Sequence, residues 1–186
     1  MEYLPTGLAG ALLLRPGRSE DARGYFTRTW CRRELAAQGI SSDFPQGNLS
    51  LTRRKGTIRG LHFQLPPSRE AKLVRCSRGE LFDVIVDLRI DSQTYLQHHT
   101  VNLSAMNGLS LYIPVGMAHG FQTLCDDTEA VYAMGDYYDP ALSSGVRWND
   151  PAFGIAWPLG EPTEISDRDR SYPAFQPAEF TAFRGC

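Results

Sequence analysis

The sequence predicts an all-β protein, an antiparallel sandwich or barrel with few short helices and a loop-rich C-terminal tail. Three observations carry this. Runs rich in aromatic and β-branched residues recur at a spacing of roughly ten residues. Gly, Pro and Asp punctuate the gaps between them. After Tyr138 the pattern stops, and Pro140, Pro151, Pro158, Pro162, Pro173 and Pro177 are spread through the remainder.

In order, the expected strands are residues 11–15, 25–30, 48–52, 57–64, 71–78, 81–89, 99–103, 109–114, 120–124 and 129–138. Residues 81–89 alternate in part, and Phe82, Val84 and Val86 form the apolar face expected of a barrel wall. Ahead of residue 140 one helix is expected, over 31–38, stopped by Gly39. The stretch 139–186 holds too few apolar residues for a core of its own, so it is expected to wrap a barrel spanning about 10–138. The whole of 1–186 then forms a single domain. There is no internal repeat and no low-complexity tract.

Composition narrows the function classes. A net charge of -2 gives no electrostatic case for nucleic acid or an anionic membrane surface. No run reaches the length of a transmembrane helix, and residues 1–10 lack the features of a signal peptide. Cys31, Cys76, Cys125 and Cys186 form no C-x-x-C pair, which points to reduced thiols, no zinc site and a cytoplasmic setting. Of 19 basic residues only Lys55 and Lys72 are lysines, so Lys72, at the head of an expected strand, is conspicuous. The arginines offer bidentate phosphate binders.

Two histidines end strands in Gly/Pro surroundings: His62 in Gly56-Thr-Ile-Arg-Gly-Leu-His62-Phe-Gln64, and His119 in Pro114-Val-Gly-Met-Ala-His119. Both segments resemble the motifs of the cupin jelly-roll, but Gln64 stands where the first motif has its second metal-binding histidine. The resemblance implies a jelly-roll barrel without the usual metal set. A histidine lacking partner ligands is better suited to moving a proton than to holding a metal.

A lone core histidine is ordinarily a hydrogen-bonded packing residue. Here His62, Lys72, His119 and Tyr132 come from separate strands, and burying four such groups in one barrel is costly unless they serve a polar ligand. Arg59 has the opposite strand parity from His62, and a bend at Gly60 would bring both to one cavity. Asp169 reads as a solvated loop acid unless the tail folds back and its carboxylate orients an imidazole. His98 and His99, among polar residues, read as surface.

The chain resembles the nucleotide-sugar 3,5-epimerases, the family of the dTDP-4-dehydrorhamnose enzymes. The matching blocks are Asp21-x-Arg-Gly-x-Phe26, Gln46-x-Asn48-x-Ser50, Gly56-x-x-Arg-Gly-Leu-His62-x-Gln64, Ala71-Lys-Leu-Val74 and Asp83-Val-x-Val-Asp-Leu-Arg89. They continue in Pro114-x-Gly-x-Ala-His-Gly-Phe121, Tyr132, Gly145-Val-Arg-Trp-Asn-Asp-Pro151, Gly154-Ile-x-Trp-Pro158 and Ser166-x-Arg-Asp169. The resemblance implies a cofactor-independent, metal-free isomerase acting on a 4-keto-6-deoxyhexose linked to a nucleoside diphosphate, and a homodimer in which a neighbour's strand closes the nucleotide site. On the matching positions His62 is the base, tuned by Asp169, and Tyr132 the acid. Lys72, helped by Arg59 or His119, stabilises the enolate oxygen. Arg23, Gln46 and Asn48 meet the diphosphate, and Phe26 and Tyr138 flank the base.

Three positions depart from the family pattern. Arg28 and Ser143 stand where glutamates are frequent, and Arg168, in the substrate-binding set, stands where lysine is common. The nucleotide, dTDP or CDP, and the inverted carbon, C3, C5 or both, are left open. Two rivals remain: a 3,4-ketoisomerase on the same substrates, and a non-catalytic sugar-nucleotide-binding cupin.

Overall fold

The computed structural model describes residues 1–40, 43–178 and 180–184. Cys186, one of the four expected thiols, lies outside them. The strands are β1 (Glu2–Pro5), β2 (Leu12–Arg15), β3 (Arg18–Asp21), β4 (Gly24–Thr27), β5 (Gln46–Thr52), β6 (Ile58–Gln64) and β7 (Lys72–Arg78). They continue with β8 (Glu80–Asp87), β9 (His98–Ser104), β10 (Ser110–Ile113), β11 (Met117–Thr123), β12 (Thr128–Met134) and β13 (Ser143–Gly145). Helix α1 (Arg32–Ala37) lies between β4 and β5, and α2 (Asp167–Ser171) lies in the tail.

The strands form an antiparallel jelly-roll. One sheet has the order β1-β2-β10-β7-β12-β5 and the other β13-β6-β11-β8-β9, while β3 and β4 form a separate hairpin. Alternation along each strand sends one set of side chains inward. Val74, Cys76, Leu111, Ile113 and Ala130 of the first sheet meet Leu81, Ile85, Leu103, Met117 and Phe121 of the second. Ile85 and Leu111 are fully buried, each worth about 1.5–3 kcal/mol relative to exposure.

Each sheet also has a covered outer face. Leu35 of α1, with Ile40 and Phe44, packs on Leu14, Leu73 and Tyr112 of the six-stranded sheet. Phe82, Val84 and Val86 do form a wall, but they face outward, where Val146, Phe153, Phe175 and Phe183 of the tail cover them. The tail therefore wraps the barrel by completing a layer that the five-stranded sheet cannot bury alone.

The structure corrects several details. Strands β1, β3 and β13 were not expected; the strand expected over 25–30 is β4, which ends at Thr27, and the one expected over 129–138 is β12, which ends at Met134. His99 is not a surface residue: it is half-buried on β9, and only its neighbour His98 is exposed.

Candidate active site

The site is made by one irregularity between β6 and β11. His119 pairs with His62 and Phe121 pairs with Arg59, so two steps along β11 match three along β6. The extra residue reverses the parity of Arg59, and both Arg59 and His62 line one cavity. Glycine is required at the bulge. Gly60 has φ +132, and a Cβ there would sit 2.5 Å from Gly120 Cα.

His62, Lys72, His119 and Tyr132 all line this cavity of about 810 Å³, as the sequence led one to expect. The tail folds back onto it: α2 is capped by Ser166, whose hydroxyl oxygen accepts from the Asp169 N–H at 3.1 Å, and this turn carries the Asp169 carboxylate inward. Asp169 Oδ1 lies 2.6 Å from His62 Nε2, and Oδ2 accepts from the Gly60 N–H at 3.1 Å. The His62 side chain is 39% exposed and that of Asp169 only 5%, so a buried acid backs a ring that remains open to the cavity. Burial pushes the Asp169 carboxyl up. Its hydrogen bond with His62, the His62 charge and the Gly60 N–H outweigh that, and hold it below the ordinary value.

A second pair is more deeply set, with His119 Nε2 2.9 Å from Asp83 Oδ2. On β7, Lys72 Nζ is 3.1 Å from Glu70 and 3.5 Å from the His62 carbonyl. On β12, beside β7 in the same sheet, Tyr132 is kept protonated to higher pH: burial raises its pKa, Arg59 opposes, and Glu70 and Tyr138 add to the rise. At the mouth, Arg59 donates to Thr52 Oγ1 at 2.9 Å, and Arg168 donates to the Ser143 hydroxyl at 2.9 Å. Tyr138 lines the same mouth, half exposed.

The remaining expected residues are placed elsewhere. Gln46 and Asn48 lie on β5 beside Tyr132, bonded to each other at 3.1 Å and turned toward Met134. Arg23 and Phe26 do not reach this chain's cavity. They ride the exposed β3–β4 hairpin, Phe26 76% exposed and the Arg23 side chain 90% exposed and paired with Asp21. A cavity of this size holding two imidazole–carboxylate pairs, a lysine and a raised phenol suits proton transfer to and from a polar substrate.

A sequence profile of the dTDP-4-dehydrorhamnose 3,5-epimerase family matches residues 5–177. The chain belongs to that family. The dTDP-4-dehydrorhamnose 3,5-epimerase of Sinorhizobium fredii is 42% identical over 178 residues, covering 94% of this chain and 89% of its own. The structure of the Bacillus anthracis enzyme of that name, solved with TDP and PPi bound, superimposes with a TM-score of 0.90 at 41% identity, covering 94% and 99% of the two chains. A 3'-monoepimerase from Streptomyces bikiniensis, in complex with dTDP-quinovose, gives 0.82 at 35% identity over 91% and 86%. The family is one of isomerases, which agrees with the activity class expected from the motifs.

Two residues of this epimerase-family site were missed in the sequence. Asp83 had a signal: it lies on the opposite face of β8 from Phe82 and Val84, so a polar group stands on a face otherwise filled by Leu81 and Ile85. Glu70 precedes β7 in a loop, and no pattern marks it. Gln64 is fully committed, its amide donating to Ser68 and to the Tyr137 carbonyl at 3.0 Å and accepting from the Asp139 N–H at 2.6 Å. Among the described residues no three His, Cys, Asp or Glu side chains are grouped to hold a metal. Nor is any helix among them long and apolar enough to cross a membrane.

Proposed function

We propose that the protein inverts C3, C5 or both of a nucleoside-diphosphate-linked 4-keto-6-deoxyhexose through an enolate. The observation that carries this is the pairing of His62 with buried Asp169 on one side of the cavity and a protonated Tyr132 on another. With Nε2 held by Asp169, the His62 lone pair available to a sugar proton is on Nδ1. That proton leaves the carbon next to the ketone, and its bonding electrons move onto O4. Lys72 supplies positive charge to the resulting oxyanion, a contribution typically worth about 10²–10³ in rate. The carbon then takes a proton from Tyr132 on the other face, which inverts it; solvent then takes the proton held by His62 and reprotonates the phenolate, which restores both groups. The scheme calls on no cofactor.

The diphosphate is assigned to Arg59 and Arg168, which line the cavity, with guanidinium forks matching phosphate oxygens. Arg23 and Phe26 are assigned to the site of a neighbouring subunit in a homodimer. Two observations support this: the hairpin joins neither sheet of its own barrel, and β5 leaves an open edge bearing the 61% exposed Leu49. The single-domain organisation belongs to the same reading, supported by the core that tail and barrel share. So does a cytoplasmic setting, supported by free thiols at Cys31, Cys76 and Cys125.

The test is incubation with 4-keto-6-deoxyglucose linked to dTDP or to CDP in heavy water, followed by NMR. Deuterium at an inverted C3 or C5 supports the proposal and identifies carbon and nucleotide. Migration of the carbonyl to C3 would mark a ketoisomerase instead. Binding without any exchange would leave a sugar-nucleotide-binding protein.

A further inference from the structure

His119, Ile85 and His99 form one transverse row on the inner face of the five-stranded sheet. His119 pairs with Ile85, and Ile85 pairs with His99. Asp83 lies two residues along β8 on the same face, opposite Phe121 on one side and Val101 on the other. It is therefore diagonal to both histidines, a separation of roughly 7–8 Å that long side chains span. Asp83 Oδ2 is taken by His119, whereas Oδ1 is buried and unpartnered. The buried Nε2 of His99 is unpartnered as well. A buried polar atom left alone forgoes the hydrogen bond it would make in water, so two of them on one inner face imply a shared proton or a bridging water.

We propose that Asp83 is shared by two histidines, His119 at the cavity wall and His99 behind it. His99 is then a positioning residue that acts on the active site through the carboxylate. The proposal deepens the epimerase reading, since it rests on His119 facing the enolate site.

His99 also makes a hydrogen bond to the Thr6 backbone. With Nε2 unpartnered, that bond falls to Nδ1, which donates to the carbonyl. Burial lowers the His99 pKa, and the bond to Thr6 and then the Asp83 charge only partly offset this. The neutral ring thus turns a lone pair toward a carboxylate, and one water donating to each would satisfy both. On acidification a proton enters at Nε2, and Asp83 then divides its charge between two imidazoles. Of the nearby ionisable groups, exposed His98 lowers the His99 pKa further, while Cys76 on β7 has its thiol pushed up to about 11 and Asp87 on β8 is tied to Arg89 at 2.7 Å.

Side-chain 15N NMR titration of the free protein tests this without substrate. Asp83→Asn is expected to lower the His99 midpoint, because it deletes the attraction. His119→Gln is expected to raise it by about one pH unit, because the carboxylate then serves one imidazole. A change in packing alone would not give opposite signs. In the heavy-water assay, His99→Val is expected to move the acid limb of kcat/KM through kcat, and His99→Gln to restore part of it. If His99→Val does not fold, the two titrations decide. A His99 midpoint indifferent to both variants, or moved the same way by both, overturns the proposal, as does a His99→Val profile that superimposes on wild type. An inactive wild type would overturn the epimerase reading alone, because the titrations stand without it.

Discussion

The Asp169 carboxylate reaches His62 Nε2 at 2.6 Å across 107 residues of sequence, and its second oxygen is held by the Gly60 N–H. One acid thus fixes both the imidazole and the backbone at the bulge that aims it. Asp169→Asn keeps the shape but removes the charge that favours a protonated His62. Its exchange rate in heavy water is expected to fall by roughly 10²–10⁴, with the fold retained by circular dichroism. An undiminished rate would contradict the pairing.

The same contact has a stability consequence. The Asp169 carboxyl is lowered in the folded protein, so its contribution is fully present above the unfolded value of 3.8 and is lost as pH falls through the lower folded value. Acid unfolding followed by fluorescence is expected to show less dependence on pH in that window for Asp169→Asn than for wild type. Parallel curves would mean that the pair does not couple to folding.

Gly60→Ala tests the bulge. A Cβ at φ +132, pressed on Gly120 Cα, forces the backbone to move. The expected cost is about 1–3 kcal/mol, or roughly 2–4 °C of Tm for each kcal/mol in a chain of this size. Activity is expected to drop further than stability does, because Arg59 and His62 share the cavity only through the extra residue. Normal activity with an unchanged Tm would show that the bulge is not needed.

Most of the barrel was legible because its strands pack on apolar neighbours and carry that fact as a period of two. The missed strands lack the signal. β3 is Arg18-Ser-Glu-Asp21 and exposed throughout, and β13 is three small residues held by pairing with β6. The site residues visible by type were those unusual for a strand, such as His62, His119, Lys72 and Tyr132. Glu70 was hidden because acids are common in any sequence and only partners make them informative, whereas Asp83 was betrayed only by its place on the otherwise apolar inner face of β8. The inward turn of Asp169 depended on a tail whose docking is decided by Phe153, Phe175 and Phe183 against the outer sheet face, far from α2 in pattern terms.

The assignment of Arg23 and Phe26 to a neighbouring subunit predicts a mass by light scattering near twice 20.8 kDa. It also predicts complementation. Phe26→Ala is expected to weaken nucleotide binding with little change in kcat, and His62→Ala to abolish activity. Mixed subunits of the two variants then contain one site with neither lesion, and at substrate concentrations far below the KM of Phe26→Ala are expected to exceed both parents in rate. A monomeric mass, or mixtures no better than the average of the parents, would return Arg23 and Phe26 to the solvent-exposed surface where they stand in the single chain.

Tyr132 separates removal of the proton from its return. If His62 takes the sugar proton and exchanges it with solvent, Tyr132→Phe is expected to lose inversion while still washing deuterium into the substrate, since His62 can redeliver to the face it drew from. His62→Ala is expected to lose both. The phenol adds a pH signature. Burial raises its pKa above the ordinary 10.0, so the acid form persists through neutral and mildly alkaline pH and is lost as pH rises through the folded value. Replacing Tyr132 with a fluorinated tyrosine, whose phenol is more acidic, is expected to shift the alkaline fall of kcat to lower pH and leave the acid limb in place. Inversion at the normal rate in Tyr132→Phe would pass the acid role to His119 or solvent. An alkaline limb indifferent to fluorination would show that the group titrating there is not this phenol.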